Sequence, residues 1–147
     1  PNNTVKYHNI EKKVKCLFEQ DSSFALIDSC DCSPYNSWTK DFYTYIWGLP
    51  MKLKDPKTTI TQLPNKIMFF EDSCYVLQTE YSNEQWEYYI SDEDYYLAGF
   101  RFEKKDGSGG EIVRNVGIEN WNGINTPLKR VWFELNESLV GTDVFSK

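Results

Sequence analysis

Residues 74–90, CYVLQTEYSNEQWEYYI, decide the fold. Two runs rich in aromatic and β-branched residues are separated by Tyr-Ser-Asn-Glu, a turn-forming connection far too short for a helical crossover. The two runs are therefore antiparallel neighbours. In the second, Trp86, Tyr88 and Ile90 fall on one face, and Glu87 and Tyr89 on the other. The same grammar extends both ways. Upstream lie KTTITQL (57–63) and NKIMFFE (65–71); downstream lie YYLAGFRFEKK (95–105), GEIVRNVGIENW (110–121) and TPLKRVWFEL (126–135). Their separators, among them Leu-Pro-Asn, Glu-Asp-Ser, Ser-Asp-Glu-Asp and Asp-Gly-Ser-Gly-Gly, are turn chemistry. Asn122-Gly123 is the sharpest, because a two-residue hairpin needs positive φ at both positions. Residues 57–147 thus read as an antiparallel meander.

Ahead of it the pattern changes. Residues 1–13 are polar and expected to be loosely held, and FALID (24–28) alternates as a strand should. The stretch 33–47, SPYNSWTKDFYTYIW, fits a short helix. Ser37 can cap it, Trp38, Phe42 and Tyr45 recur at helical spacing, and Gly48 and Pro50 stop it. Within the meander, Tyr96, Ala98, Phe100 and Phe102 oppose Tyr95, Leu97, Gly99 and Arg101, while Val131, Phe133 and Leu135 oppose Arg130, Trp132 and Glu134. One face is strongly apolar and the other still carries rings, more than a flat sheet with a single covering layer requires. The expected architecture is one α+β domain over residues 1–147, mainly antiparallel β, with a strongly curved sheet around the short helix.

Bulk composition bounds the function. A chain of 147 residues can bury a core without metal or disulfide. Sixteen basic against 22 acidic residues give a net charge of −6, the wrong sign for phosphate backbones and for anionic membrane surfaces. No run approaches the roughly 20 apolar residues of a spanning helix. The first residue, Pro1, reads as the start of a mature or trimmed chain.

Cys16, Cys30, Cys32 and Cys74 allow several readings. Bridges such as Cys16–Cys30 or Cys32–Cys74 suit an oxidising compartment, and Cys30 and Cys32 are too close in sequence to bridge each other without strain. Free thiols are the alternative. Zinc fits poorly, since the spacing is not that of a zinc site and His8 is the only histidine.

The segment YIWGLPMKLKDP (45–56) carries a resemblance. Gly48-Leu49-Pro50-Met51-Lys52-Leu53, followed by Asp55-Pro56, resembles the GLPMKL-x-DP segment of a group of uncharacterised exported bacterial proteins. These are similar to the outer-membrane lipoprotein-sorting and lipoprotein-carrier superfamily. Matches continue in order through Trp86-Glu87-Tyr88-Tyr89-Ile90, Gly99-Phe100-Arg101-Phe102, Asp106-Gly107 and Gly110-Glu111-Ile112. They end with Gly123-Ile124, Pro127-x-x-Arg130-x-Trp132 and Gly141-Thr142-Asp143, so the resemblance spans roughly residues 41–145. It implies a half-barrel wrapped around a helix, an apolar concave cavity, and a periplasmic or surface location. It brings no catalytic residues.

The candidate ligand-binding residues are Trp47, Leu49, Met51 and Leu53 at the lip, and Trp86, Tyr88, Phe100, Phe102 and Trp132 along the strands. Arg101 and Arg130, with Arg114, could fork onto a phosphate or carboxylate headgroup. Against this, GLPMKLKDP can simply be a helix stop covering the core edge, and the arginines can pair with Glu103, Glu111 or Glu134. No nucleophile elbow, zinc-protease motif or phosphate loop is present, and Gly107-Ser108-Gly109-Gly110 precedes a strand rather than a helix. Asp92-Glu93-Asp94 reads as a solvated turn, with weak calcium binding as the alternative. No cofactor and no metal is called for. The expected function is non-catalytic: an extracytoplasmic binding or carrier protein for a hydrophobic small molecule or an acylated protein. The alternative is a glycan- or protein-binding module using exposed rings such as Trp38, Trp47, Trp86 and Tyr89.

Overall fold

The computed structural model describes residues 5–9, 14–19, 22–24, 42, 45–121 and 123–145. The chain falls into two compact units, Pro1–Lys52 and Leu53–Lys147. The first contains β1 (Val5–Asn9), β2 (Val14–Glu19) and β3 (Ser22–Phe24), an antiparallel sheet in the order β1-β2-β3. Strand β1 lies inside the stretch read as loosely held. It pairs with β2 from Val5↔Phe18 to Asn9↔Val14. FALID contributes only Phe24 to β3, and its remaining residues lie outside those described. Residues 42 and 45–47 are helical and 48–50 form a turn, as Gly48 and Pro50 require. Gly48 N–H donates to the Tyr45 carbonyl at 3.0 Å and Lys52 N–H to the Gly48 carbonyl at 2.8 Å. Ser37 and Trp38 lie outside the described residues. A 3₁₀ turn, Met51–Lys54, follows.

The second unit is the meander. Its strands are β4 (Ile60–Gln62), β5 (Ile67–Phe69), β6 (Asp72–Glu80), β7 (Glu84–Ser91), β8 (Leu97–Lys104), β9 (Gly110–Trp121), β10 (Ile124–Glu134) and β11 (Leu139–Val144). They form one eight-stranded sheet in the order β11-β10-β9-β8-β7-β6-β4, with β5 on the same edge of β6 as β4. Every pairing is antiparallel, and no ladder joins β11 to β4, so the sheet is open. Trp121 pairs with Ile124 across a two-residue connection in which Gly123 has φ +87°. That is the geometry the Asn-Gly pair was expected to supply, although Asn122 itself lies outside the described residues.

Register sorts the side chains onto two faces. Trp86, Tyr88, Phe100, Phe102, Val113 and Trp132 share one. The opposite face carries Phe69, Cys74, Val76, Tyr89 and Ala98, a buried cluster with Leu63, Tyr96 and Ile112 at its margin. Strict alternation had grouped Ala98 with Phe100. The register shifts between Tyr89 and Ile90, so that Tyr89 pairs Gly99 while Ile90 pairs Leu97, and the extra residue sends Ala98 to the other face. Glycine at 99 is a packing requirement. A Cβ there would lie 2.5 Å from Cε1 of Phe69 and against the Val113 carbonyl. The vacated space lets the Phe69 ring stack on Tyr89, with centroids 3.9 Å apart and planes within 15°.

Candidate functional site

The ring-bearing face is built from β7, β8 and β10. Trp86 lies 4.8 Å from Phe102 and 5.7 Å from Phe100 between ring centroids, near parallel to both, and 6.1 Å from Tyr88. Trp132 meets Phe100 edge-on at 6.1 Å, so the row continues across β9 to β10. Parallel offset rings on neighbouring strands and an edge-to-face end contact are the favoured arrangements of aromatic quadrupoles. Tyr88 and Phe100 are fully buried, Trp86 is 3% and Trp132 8% exposed. The polar ends are satisfied. The Tyr88 hydroxyl lies 3.1 Å from Oγ1 of Thr79, and Nε1 of Trp86 donates to Glu84 at 2.9 Å.

Beside Trp132 the same face turns polar. Arg130 is 2% exposed, and its Nε donates to Oδ1 of Asn115 at 3.2 Å, while Asn115 Nδ2 donates to the Leu97 carbonyl at 2.8 Å. The guanidinium also sits over the Phe145 ring, 5.3 Å from its centroid. Nε1 of Trp132 donates to Oδ2 of Asp143 at 2.7 Å. Burial pushes the Asp143 carboxyl above its ordinary range, while the Trp132 hydrogen bond and the Arg130 charge pull the other way. Glu111 is raised too, first by burial and then by Asp143 and Glu134, the latter directly opposite it across the β9–β10 ladder. Arg130 thus closes the ring row as a buried cation held by Asn115.

The expected site residues separate. Trp86, Tyr88, Phe100, Phe102, Trp132 and Arg130 come together on one face. Arg101 does not, for it lies on the opposite face and pairs with Glu103 at 2.6 Å. Arg114 is on that opposite face as well, bonded to Glu71 and stacked 4.7 Å above Phe70 rather than paired with Glu111. At the lip, Leu49 and Leu53 are buried whereas Trp47 and Met51 are exposed, so GLPMKL does not present one continuous apolar edge. Asn115 and Phe145 escaped the sequence reading, and Asp143 entered it only within the Gly141-Thr142-Asp143 match, without a role. Asn115 follows Val113 at strand spacing, which was the available signal. Asp143 and Phe145 acquire meaning only through β10.

Cys74 and the acidic turn lie apart from this face. Cys74 is a free thiol, fully buried among the apolar side chains of the second face, so the Cys32–Cys74 bridge is not formed. The Cys16–Cys30 pairing lies outside the described side chains. The acidic turn is engaged at Asp92, which accepts from Lys66 Nζ at 2.8 Å and Ser73 Oγ at 2.9 Å. Both bonds hold its carboxyl below the ordinary range, which makes it a weak base toward the Ser73 hydroxyl.

No curated protein matches this chain in sequence. Among solved structures, a domain from Vibrio parahaemolyticus named for outer membrane lipoprotein sorting is similar at 8% identity and a TM-score of 0.46. That likeness covers 60% of this chain and 42% of that one, so the chain spans less than half of its length. A family model, described as a family of unknown function (DUF6503), matches residues 5–123, a span that includes the N-terminal region where the motif resemblance is silent. With most of its length under that match, the chain belongs to DUF6503.

Proposed function

We propose that this protein is a non-catalytic, extracytoplasmic binding or carrier protein whose ring-bearing sheet face receives the acyl chain of a lipid or lipidated partner. The observation that carries the reading is the unbroken row Phe102, Trp86, Phe100 and Trp132, ending at buried Arg130. Hydrophobic transfer is large enough to drive such binding. At about 0.8 kcal/mol per CH₂, a 14-carbon tail supplies roughly 10 kcal/mol before ordering costs. Arg130 would meet the phosphate or carboxylate head. Because Tyr88 and Phe100 are closed to water, uptake of a guest requires this face to open. A glycan platform is less well supported, since Trp86 and Trp132 offer no open stacking surface.

Native mass spectrometry of gently purified protein tests the reading. A co-purified acyl species, or a mass gain when a fatty acid or phospholipid is added, is expected. Apo mass alone from several preparations, with no gain on adding either lipid, would retire it.

A further inference from the structure

The two edges of the large sheet are built differently. One edge is β4 and β5, each three residues long and interrupted by Leu63-Pro64-Asn65-Lys66. Short strands, a proline and a lysine are the usual devices against strand addition. The other edge is β11, with the sequence LVGTDV and neither lysine, arginine nor proline. It ends the sheet order, and among the described residues no strand pairs its outer side. Its one charge is turned back, because Asp143 accepts from Trp132. Val140 and Val144 are 52% and 69% exposed, and Thr142 is exposed between them.

The direction of the open backbone groups follows from one hydrogen bond. Phe145 N–H donates to the Leu128 carbonyl at 2.8 Å, so residue 145 faces β10. Alternation then turns Asp143 and Gly141 inward and leaves the N–H and C=O of Val144 and Thr142 pointing outward. The register irregularity opposite Trp132 and Phe133 makes Val140 the extra residue of β11, so the regular outer ladder runs over Gly141–Val144.

That stretch is self-complementary. When two copies pair antiparallel about a two-fold axis normal to the sheet, opposed residues must share a face, so the axis passes through a residue. Centred on Thr142, the axis sets Thr142 against Thr142 and Gly141 against Asp143, and brings Val144 to the bulged Val140 of the second copy. The outward groups of Thr142 then bond reciprocally, β-branched side chains meet β-branched side chains, and each carboxylate stands beside a glycine. Centred on Asp143, the axis would oppose two carboxylates. Centred on Gly141, it would place Leu139 against Asp143 and face the two inward-turned glycines toward each other.

We infer that β11 is a self-association edge, through which two copies of this chain join their sheets by antiparallel β11–β11 pairing centred on Thr142. A ladder this short falls below the roughly 1,200 Å² of a standard interface, so the dimer is weak and concentration-dependent. Sedimentation velocity of the full chain from micromolar to near-millimolar concentration, combined with hydrogen exchange, tests it. The sedimentation coefficient is expected to rise with concentration, and the Thr142 and Val144 amides to gain at least about tenfold protection. Thr142→Pro and Val144→Lys should each abolish both effects, whereas Ile60→Lys on the protected edge should change neither. Thr142 N–H makes no bond to β10, so the proline is compatible with the fold; should it unfold the chain, Val144→Lys carries the test alone. A monomer at every concentration overturns the inference. So does a dimer that survives these changes with the Thr142 amide still exchanging fast.

Discussion

Phe70 shows how a single residue can be held against its own preference. It has φ +52° in the two-residue turn between β5 and β6, a region that disfavours a side chain by roughly 1–2 kcal/mol. Three contacts compensate: Phe69 edge-on at 4.9 Å, Phe133 at 5.5 Å and the Arg114 guanidinium above the ring. Truncation should therefore separate ring from backbone. Phe70→Ala loses the contacts and keeps the strain, whereas Phe70→Gly loses the contacts and relieves it. Chemical denaturation is expected to find Phe70→Gly about 1 kcal/mol more stable than Phe70→Ala. The converse case is Gly99. Gly99→Ala forces Phe69 off Tyr89 and should cost about 1–3 kcal/mol by the same measurement, as overpacking does. Cys74, with burial pushing its thiol to about 11, should resist iodoacetamide in the native protein and react at once on unfolding.

At the scale of elements, β9, β10 and β11 bring three carboxylates to one corner of the ring-bearing face. Glu111 and Asp143 both have folded pKa values above their ordinary ones. The folded state therefore holds protons more tightly than the unfolded state, and stability falls as pH rises through the window above about 4. Asp92 and Asp106 are shifted the other way, by Lys66 and by the Ser108 amide respectively, so the stability they contribute is lost only at more acidic pH. The protein should thus be more stable at mildly acidic than at neutral pH. Glu111→Gln should raise neutral-pH stability and flatten the slope, with thermal melting across pH 4.5–7.5 as the check on this roughly three-unit window. A melting temperature that rises with pH in that range would contradict the assignment. Most of these strands were legible because residues alternate and turns are rich in Gly, Asn, Asp and Ser. Strand β11 was not, because LVGTDV is short, glycine-broken and bulged, so no period-two pattern is sustained after the Asn136–Ser138 turn.

For the whole molecule, a guest on the ring-bearing face would act through linkage. An acyl ligand binding only the folded chain adds about 2.7 kcal/mol at a free concentration 100 times its Kd, so the melting temperature should climb with fatty-acid concentration. Trp132→Ala should remove that response more than Arg101→Ala, because Trp132 continues the ring row and Arg101 lies on the other face. The sequence by itself determined that the strands from β5 to β10 pair antiparallel in succession, whereas β4 and β5, read as neighbours, both pair β6 instead of each other. Hairpin connections and period-two patterning are local properties of the chain, and they also brought Trp86, Tyr88, Phe100 and Phe102 into one group. Tertiary structure alone decided which arginine joins the rings, where Ala98 points, and that Asp143 meets Trp132. Those outcomes depend on a one-residue register shift and on cross-strand partners, and a bulge moves side chains between faces at a cost too small to mark the sequence.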